Sequence, residues 1–332
     1  LMLFTQKLSN LSGLEKKIKS NQFKEAKNKF YSKIKSNSYG FINDLYEKKI
    51  EYVYSFSDKL KNNENIIFLG TGGSSLGGKT LVSIKTNFFL NKKKPQIFFL
   101  ENVDQVSISG LLDQLNMEKT SVVVISKSGE TIETLAQFFF IKKIISKTHN
   151  YKKRIYVITE NKQSTLKKIQ EEEDYLFIEH NKNIGGRYSV FSVVGLLPAA
   201  VTSFNIKKFV EGGKKFLKFI ENENNFDLFF FSSLAMILLK KKGVNISVIM
   251  PYVDNLNNLS FWYKQLWAES IGKKRMGTTP VNSLGTVDQH SQLQLFLDGP
   301  RDKFYTIIGR KKTNKQTMLD CSFGDKNKIE VL

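Results

Sequence analysis

Between about residues 62 and 180, short and continuous apolar runs alternate with longer stretches whose apolar residues recur at helical spacing. The runs are NIIFLG, QIFFL, SVVVIS, RIYVIT and YLFI; between them lie SLGGKTLVSIK, QVSISGLLDQL, ETIETLAQFFFIKKII and QSTLKKIQ. A strand that is apolar on both faces has to be covered on both faces, and parallel neighbours are joined through helices. The alternation therefore predicts an α/β unit: a parallel sheet with helices on both faces. A second alternation follows, in which SVFSVVGLLPAAVTSF, FVEGGKKFLKFI, LFFFSSLAMILLKK, NLSFWYKQLWAESIG and SQLQLFLDG read as helices. VNISVIMPY and KFYTIIG read as its strands. The first 60 residues are polar and lysine-rich with spaced apolar residues (Leu3, Phe4, Leu8, Leu11, Leu14, Ile18), as in helices that pack on another element. The expected organisation is a helical segment over 1–60 and two α/β domains over 61–185 and 186–332, within a 332-residue chain long enough for two domains. No low-complexity linker separates the two domains, so they are expected to pack tightly.

Composition narrows the partners. The formal net charge is +20, which raises nucleic-acid binding as a possibility. The lysines, however, run along the whole length, only five of the 51 basic residues are arginine, and no aromatic RNA-binding signature occurs. A solvated lysine surface that steers a small anion accounts for this pattern better than a polynucleotide groove. No apolar run approaches the roughly 20 residues of a membrane span. The start, LMLFTQKLSN, lacks the basic and apolar regions of a signal peptide. Cys321 is the only cysteine, which excludes an internal disulfide and fits a reducing cytoplasm. His149, His180 and His290 share no metal-ligand spacing, so no histidine metal site is expected.

Two loops at strand ends carry the chemistry. GTGGSSLGGKT follows the first strand and spells Gly-x-x-x-x-Gly-Lys-Thr from Gly73 through Gly78, Lys79 and Thr80, the form of a nucleotide-binding P-loop. A P-loop enzyme also needs an acidic residue ending a nearby strand to hold Mg²⁺. Glu101 and Asp104 in IFFLENVD are the candidates, but Asp104 lies past the strand, and SVVVIS and IYVIT end in Ser and Thr. The glycines also begin too early, directly at the strand end, and Gly-x-Gly-x-x-Gly fails at Ser75. In the reading preferred over a P-loop NTPase, Gly72 and Gly73 admit a sugar phosphate to the backbone, Ser74 offers a hydroxyl, and Lys79 is a solvated helix lysine. The second loop, VVVISKSGETIETL, runs from strand to helix with Ser126, Ser128, Thr131 and Thr134 around the helix N-terminus. Neutral hydroxyls and unpaired N–H groups there make a metal-free cup for a phosphate monoester. An ordinary N-cap followed by a polar first turn, with Glu130 and Glu133 favouring the helix dipole, is the alternative.

SKSGETIET, together with FLGTGGSSLGG, NIGGRYSVFSVVGL, QLWAESIGK and GTVDQHSQLQLFLDGP, resembles the glucose-6-phosphate isomerase (phosphoglucose isomerase) family, with the motifs in that family's order over about residues 65–300. The resemblance implies two flavodoxin-like sugar isomerase domains. It also implies reversible conversion of glucose 6-phosphate and fructose 6-phosphate through a cis-enediolate, in glycolysis and gluconeogenesis, without a metal or nicotinamide. Such chemistry needs a base over the C1–C2 edge, a donor at the developing oxyanion, an acid/base for ring opening and a phosphate anchor. Glu269 is the candidate base. It lies near a helix end just before Gly272, and Trp267, Ala268 and Ile271 suggest partial desolvation; both raise the cost of its charge. Arg187 follows two glycines, and its guanidinium suits an enediolate oxygen. His290, after a glycine turn, is suited to ring opening; the resemblance has it reach the active site of a partner subunit, which implies a homodimer. Glu133 corresponds to a glutamate lining the site and Lys127 lies beside the phosphate cup, where a solvated lysine would serve equally. His149 and His180 are given no role.

The match departs from the family at the C-terminal end. The helical Gln-x-Gly-Val-Glu-x-x-Lys segment, whose lysine enters the active site, is not found in a chain that closes on GDKNKIEVL. The second domain is therefore expected to be incomplete at that end and these residues alone to be a weak or inactive isomerase that self-associates. A non-catalytic sugar-phosphate binding module of the same fold is the rival reading; it would keep the hydroxyl cup but have no use for Glu269, Arg187 and His290 together.

Overall fold

The computed structural model describes residues 20–36, 38–47, 49–86 and 95–309. The expected helix carrying Leu3 to Ile18, the closing GDKNKIEVL and Cys321 lie outside the described residues. Three helices come first: α1 (Asn21–Lys35), the single turn α2 (Gly40–Asn43) and α3 (Ile50–Lys61).

Five strands then alternate with helices: β1 (Asn65–Leu69), α4 (Leu76–Lys85), β2 (Gln96–Leu100), α5 (Gln105–Leu112), β3 (Thr120–Ile125), α6 (Ile132–Ile145), β4 (Ile155–Thr159), α7 (Thr165–Glu173) and β5 (Leu176–Glu179). The strands pair in parallel in the order β2-β1-β3-β4-β5. β1, β3 and β4 are buried along their whole length, as their unbroken apolar sequences require. Alternate residues serve opposite faces. Ile66, Phe68, Val123, Ile125 and Ile158 pack with α3, α4 and the later helix α8 (Val193–Val201). Ile67, Leu69, Val122, Val124 and Val157 pack with α5, α6 and α7. This is the flavodoxin order, in which the direction of winding reverses between β1 and β3 and leaves a crevice at their carboxyl ends. Both glycine- and hydroxyl-rich loops leave the sheet at that crevice.

Every residue of α8 is buried. The Ser192 hydroxyl caps it by accepting from the Val194 N–H. The sequence pattern extends this helix back over SVFS, but residues Gly186–Phe191 form a 3₁₀ turn instead, which swings the chain toward the crevice. The amphipathic helix α9 (Ile206–Ile220) and the longer helix α10 (Glu223–Lys241) follow. A second parallel sheet comes next, in the order β7-β6-β8, with β6 (Ile246–Pro251), α11 (Asn257–Ile271), β7 (Thr279–Asn282), α12 (Gly285–Ser291), α13 (Leu293–Asp298) and β8 (Lys303–Ile308). Strand β7 has no counterpart in the sequence reading. It is four residues of TPVN paired only to β6, and its Pro280 is tolerated because an edge strand leaves one row of N–H groups unused. Among the described residues no helix is long and apolar enough to cross a membrane.

Candidate active site

The chain turns sharply at the end of β1 because Gly72 adopts φ +56°. Gly73 then passes so close to another backbone that a Cβ on it would sit 2.2 Å from the Gly186 carbonyl carbon. Only a glycine lets the GTGG loop meet the NIGGR segment, and the Ser189 hydroxyl closes the junction by donating to the Gly73 carbonyl at 2.8 Å. The remaining P-loop letters serve packing. A Cβ on Gly78 would be 2.6 Å from Pro198, so this glycine seats α4 against α8. Lys79, read from sequence as a solvated helix lysine, instead pairs with Glu101, which also accepts from the Ser75 hydroxyl at 2.7 Å. Thr80 is buried, its hydroxyl within reach of the Leu76 and Asn258 carbonyls at 2.7 and 3.0 Å. Neither Lys79 nor Thr80 lines the crevice.

In the loop after β3, Ser126 is fully buried and organises the turn. Its hydroxyl accepts from the Gly129 N–H at 3.1 Å and shares a 2.9 Å hydrogen bond with the Thr131 hydroxyl. Glu130 faces away from the crevice and accepts from the Thr165 N–H and hydroxyl at 2.6 and 2.8 Å, which hold its carboxyl below the usual carboxylate range. Thr131 is the N-cap residue of α6, but its side chain makes no capping bond, so the first N–H groups of the helix keep their hydrogen-bonding capacity.

A third wall comes from far along the chain. The Arg187 backbone carbonyl accepts from Trp262 Nε1 at 3.1 Å, fixing the 3₁₀ turn against α11. Arg187 Nε donates to Ser270 Oγ at 3.0 Å, and its guanidinium lies 4.5 Å from the centre of the Tyr188 ring. Its Nη1 donates to Glu269 Oε2 at 3.3 Å, while Gln265, one helical turn earlier on α11, donates to Glu269 Oε1 at 2.8 Å. Glu269 thus holds a bond on each oxygen. The desolvation suggested by its apolar neighbours is not found: the side chain is 49% exposed, and Ala268 beside it is exposed as well.

The three walls border an open pocket of about 290 Å³. Of the residues singled out in the sequence, Gly73, Ser74, Lys127, Ser128, Thr131, Arg187 and Glu269 line it. Ser126 lies buried beneath the turn, and Glu133 and Thr134 point elsewhere. Each residue beyond the Thr131 cap rotates by a helical step, leaving Glu133 in solvent and the Thr134 hydroxyl buried without a partner. His290 is exposed on α12, outside this pocket. Glu160, Lys162 and Gln265 also line it and were missed. The first two follow IYVIT directly, so the rule that ligands sit at strand carboxyl ends could have found them. Burial pushes the Glu160 carboxyl up, but Lys162 at 2.7 Å and Lys127 at 3.4 Å outweigh it and hold it below the usual range.

A sheet in flavodoxin order with a hydroxyl-lined helix start at its switch point, faced by a carboxylate and a guanidinium, belongs to the class of sugar isomerase folds. Within that class the chain belongs to the phosphoglucose isomerase family, whose description matches residues 47–313. A probable glucose-6-phosphate isomerase of Methanococcus maripaludis is 38% identical over 84% of this chain and 63% of its own length. The glucose-6-phosphate isomerase of Rubrobacter xylanophilus is 36% identical over 74% of this chain and 58% of its own. The chain thus spans less than two thirds of the length of either relative. The crystal structure of a hypothetical protein from Thermus thermophilus superposes with a TM-score of 0.78 at 28% identity, over 90% of this chain and 73% of that one.

Proposed function

We propose that the protein interconverts glucose 6-phosphate and fructose 6-phosphate, with the phosphate held at the β3–α6 turn and the C1–C2 edge of the sugar at Glu269. The observation that carries this reading is the Glu269–Arg187 pair, 3.3 Å apart on the wall facing the hydroxyl-rich turn. A base beside a fixed cation is what proton transfer between adjacent carbons requires. Glu269 takes the proton from one carbon and returns it to the other, while Arg187 stabilises the oxygen of the cis-enediolate formed between the two steps. Ser128, Thr131 and the free N–H groups of α6 anchor the phosphate and so fix the sugar's register, with Lys127 beside them. Gln265 orients the base through its bond to Oε1. Charge rearranges only within the sugar and these side chains, so the reaction calls for no metal or nicotinamide.

His290, exposed on α12, is assigned to ring opening in a second copy of the chain, which makes the working unit a homodimer. The two domains are taken as residues 61–185 and 186–332 behind a helical segment over 1–60, with α8 of the second packed across the sheet of the first. A cytoplasmic enzyme of glycolysis and gluconeogenesis is the corresponding cellular reading. The test is proton exchange at C2 of the sugar in deuterated water. Glu269→Gln should lower exchange by about 10²–10⁴-fold while fructose 6-phosphate still binds. Near-normal exchange would assign the base elsewhere, and binding without exchange in the unaltered protein would favour a non-catalytic sugar-phosphate module.

A further inference from the structure

The anion end of the pocket contains an acid. An ammonium group has three N–H donors. Lys127 Nζ gives one to the Lys182 carbonyl at 3.1 Å and one to the Ile184 carbonyl at 2.7 Å, and the third faces Glu160 Oε1 at 3.4 Å. The other Glu160 oxygen pairs with Lys162 Nζ at 2.7 Å. Two backbone carbonyls already hold Lys127 in position, so the lysine does not depend on Glu160 for its orientation. The carboxylate is 10% exposed and sits with both lysines, Ser128 and Thr131 in the same pocket. It therefore engages the one Lys127 hydrogen that a bound phosphate could use, and it opposes that phosphate by like-charge repulsion.

We propose that Glu160 is an affinity-setting residue. It occupies Lys127 and Lys162 as a resident counter-ion that an incoming phosphoryl group must displace, so the pocket binds phosphate less tightly than its two lysines alone would. That restraint suits the sugar-phosphate reading on which the proposal rests. Substrate and product carry the same phosphate, and anchoring both more tightly lowers KM without raising kcat while slowing product departure.

The test measures binding of inorganic phosphate to the whole protein by titration calorimetry, alongside fructose 6-phosphate kinetics. Glu160→Gln should bind phosphate on the order of threefold to tenfold more tightly, the range expected of a partly buried charge competitor. KM for fructose 6-phosphate should fall in parallel with no rise in kcat. Adding Lys127→Met should reduce the gain, because part of it comes from the freed Lys127 ammonium and the rest from Lys162 and the lost repulsion. Glu160→Ala removes the charge without leaving a buried amide and should shift binding in the same direction, which covers poor folding of the Gln variant. Unchanged or weaker phosphate binding in a folded Glu160 variant overturns the proposal. Tighter phosphate binding in a protein that does not turn over fructose 6-phosphate would leave Glu160 its role and refute the isomerase reading alone.

Discussion

Removing the Ser270 hydroxyl should slow the proposed isomerisation about fivefold to tenfold through kcat, with KM changed less than about twofold. Arg187 Nε donates to Ser270 Oγ at 3.0 Å, and the Tyr188 hydroxyl extends this bond at 3.0 Å. A hydrogen bond to a charged group contributes about 1.5–3 kcal/mol. Here the value belongs at or below the lower end, because the Arg187 side chain is 20% exposed and keeps two other contacts. One is the Tyr188 ring under the guanidinium and the other is Glu269. About 1–1.4 kcal/mol corresponds to roughly fivefold to tenfold in rate. The loss should fall on kcat because the guanidinium is aimed at a charge that develops only in the enediolate. The assay is steady-state conversion of fructose 6-phosphate by the Ser270→Ala and Ser270→Thr proteins, each also combined with Arg187→Ala. Threonine keeps the hydroxyl and should restore most of the rate. In the Arg187→Ala background the serine change should cost almost nothing, since the group it positions is gone. An equal loss in both backgrounds would show that Ser270 serves the fold and not the guanidinium, and a change confined to KM would refute the timing.

Gly73→Ala should be far more harmful than Gly110→Ala. A methyl on Gly73 meets the Gly186 carbonyl carbon at 2.2 Å with backbone on both sides, so overpacking of about 1–3 kcal/mol and a widened pocket follow; on Gly110 it meets nothing within 4 Å. Thermal melts and isomerase rates of the two variants check this, and equal behaviour would refute the close approach. Burial pushes the His180 imidazole down from its ordinary 6.5, with Lys127 adding to the effect and the Asn181 carbonyl and Glu160 opposing it. The unfolded chain therefore binds the proton more readily, and stability should fall as pH drops below 6.5. His180→Gln should flatten the decline in melting temperature between about pH 7 and 5, and an unchanged slope would refute the assignment.

The first sheet was legible because its constraint is local. A short, β-branched run such as SVVVI set between helical stretches reads as a strand covered twice, and β3 is buried at all six positions. Strand β7 was not legible, since TPVN has a proline and no apolar run, and its pairing depends on β6 lying beside it. The break between the 3₁₀ turn and α8 was also hidden. Its cause is tertiary: the Ser189 hydroxyl reaches the Gly73 carbonyl and the Trp262 indole reaches the Arg187 carbonyl, neither of which helical periodicity records.

The site shows the same division between what a spelling can say and what it cannot. The hydroxyls at the β3–α6 turn were predictable as a group because helix N-termini present N–H groups wherever they occur. Which hydroxyls face the ligand was not, because Thr131 and Thr134 differ by a rotation that the register of the cap decides. The P-loop spelling, already set aside on the sequence, has a structural origin. Gly73 and Gly78 stand in the spacing of a phosphate loop, yet one exists to meet the Gly186 backbone and the other to seat α4 on α8. A glycine states only that something approaches closely; the sequence alone does not say whether that is a phosphate or another stretch of chain. GTGG and NIGGR are halves of one contact, more than a hundred residues apart, and Arg187 enters the pocket because both halves lack side chains. The cation opposite the hydroxyl turn is therefore positioned by the very residues that made the loop resemble a different enzyme.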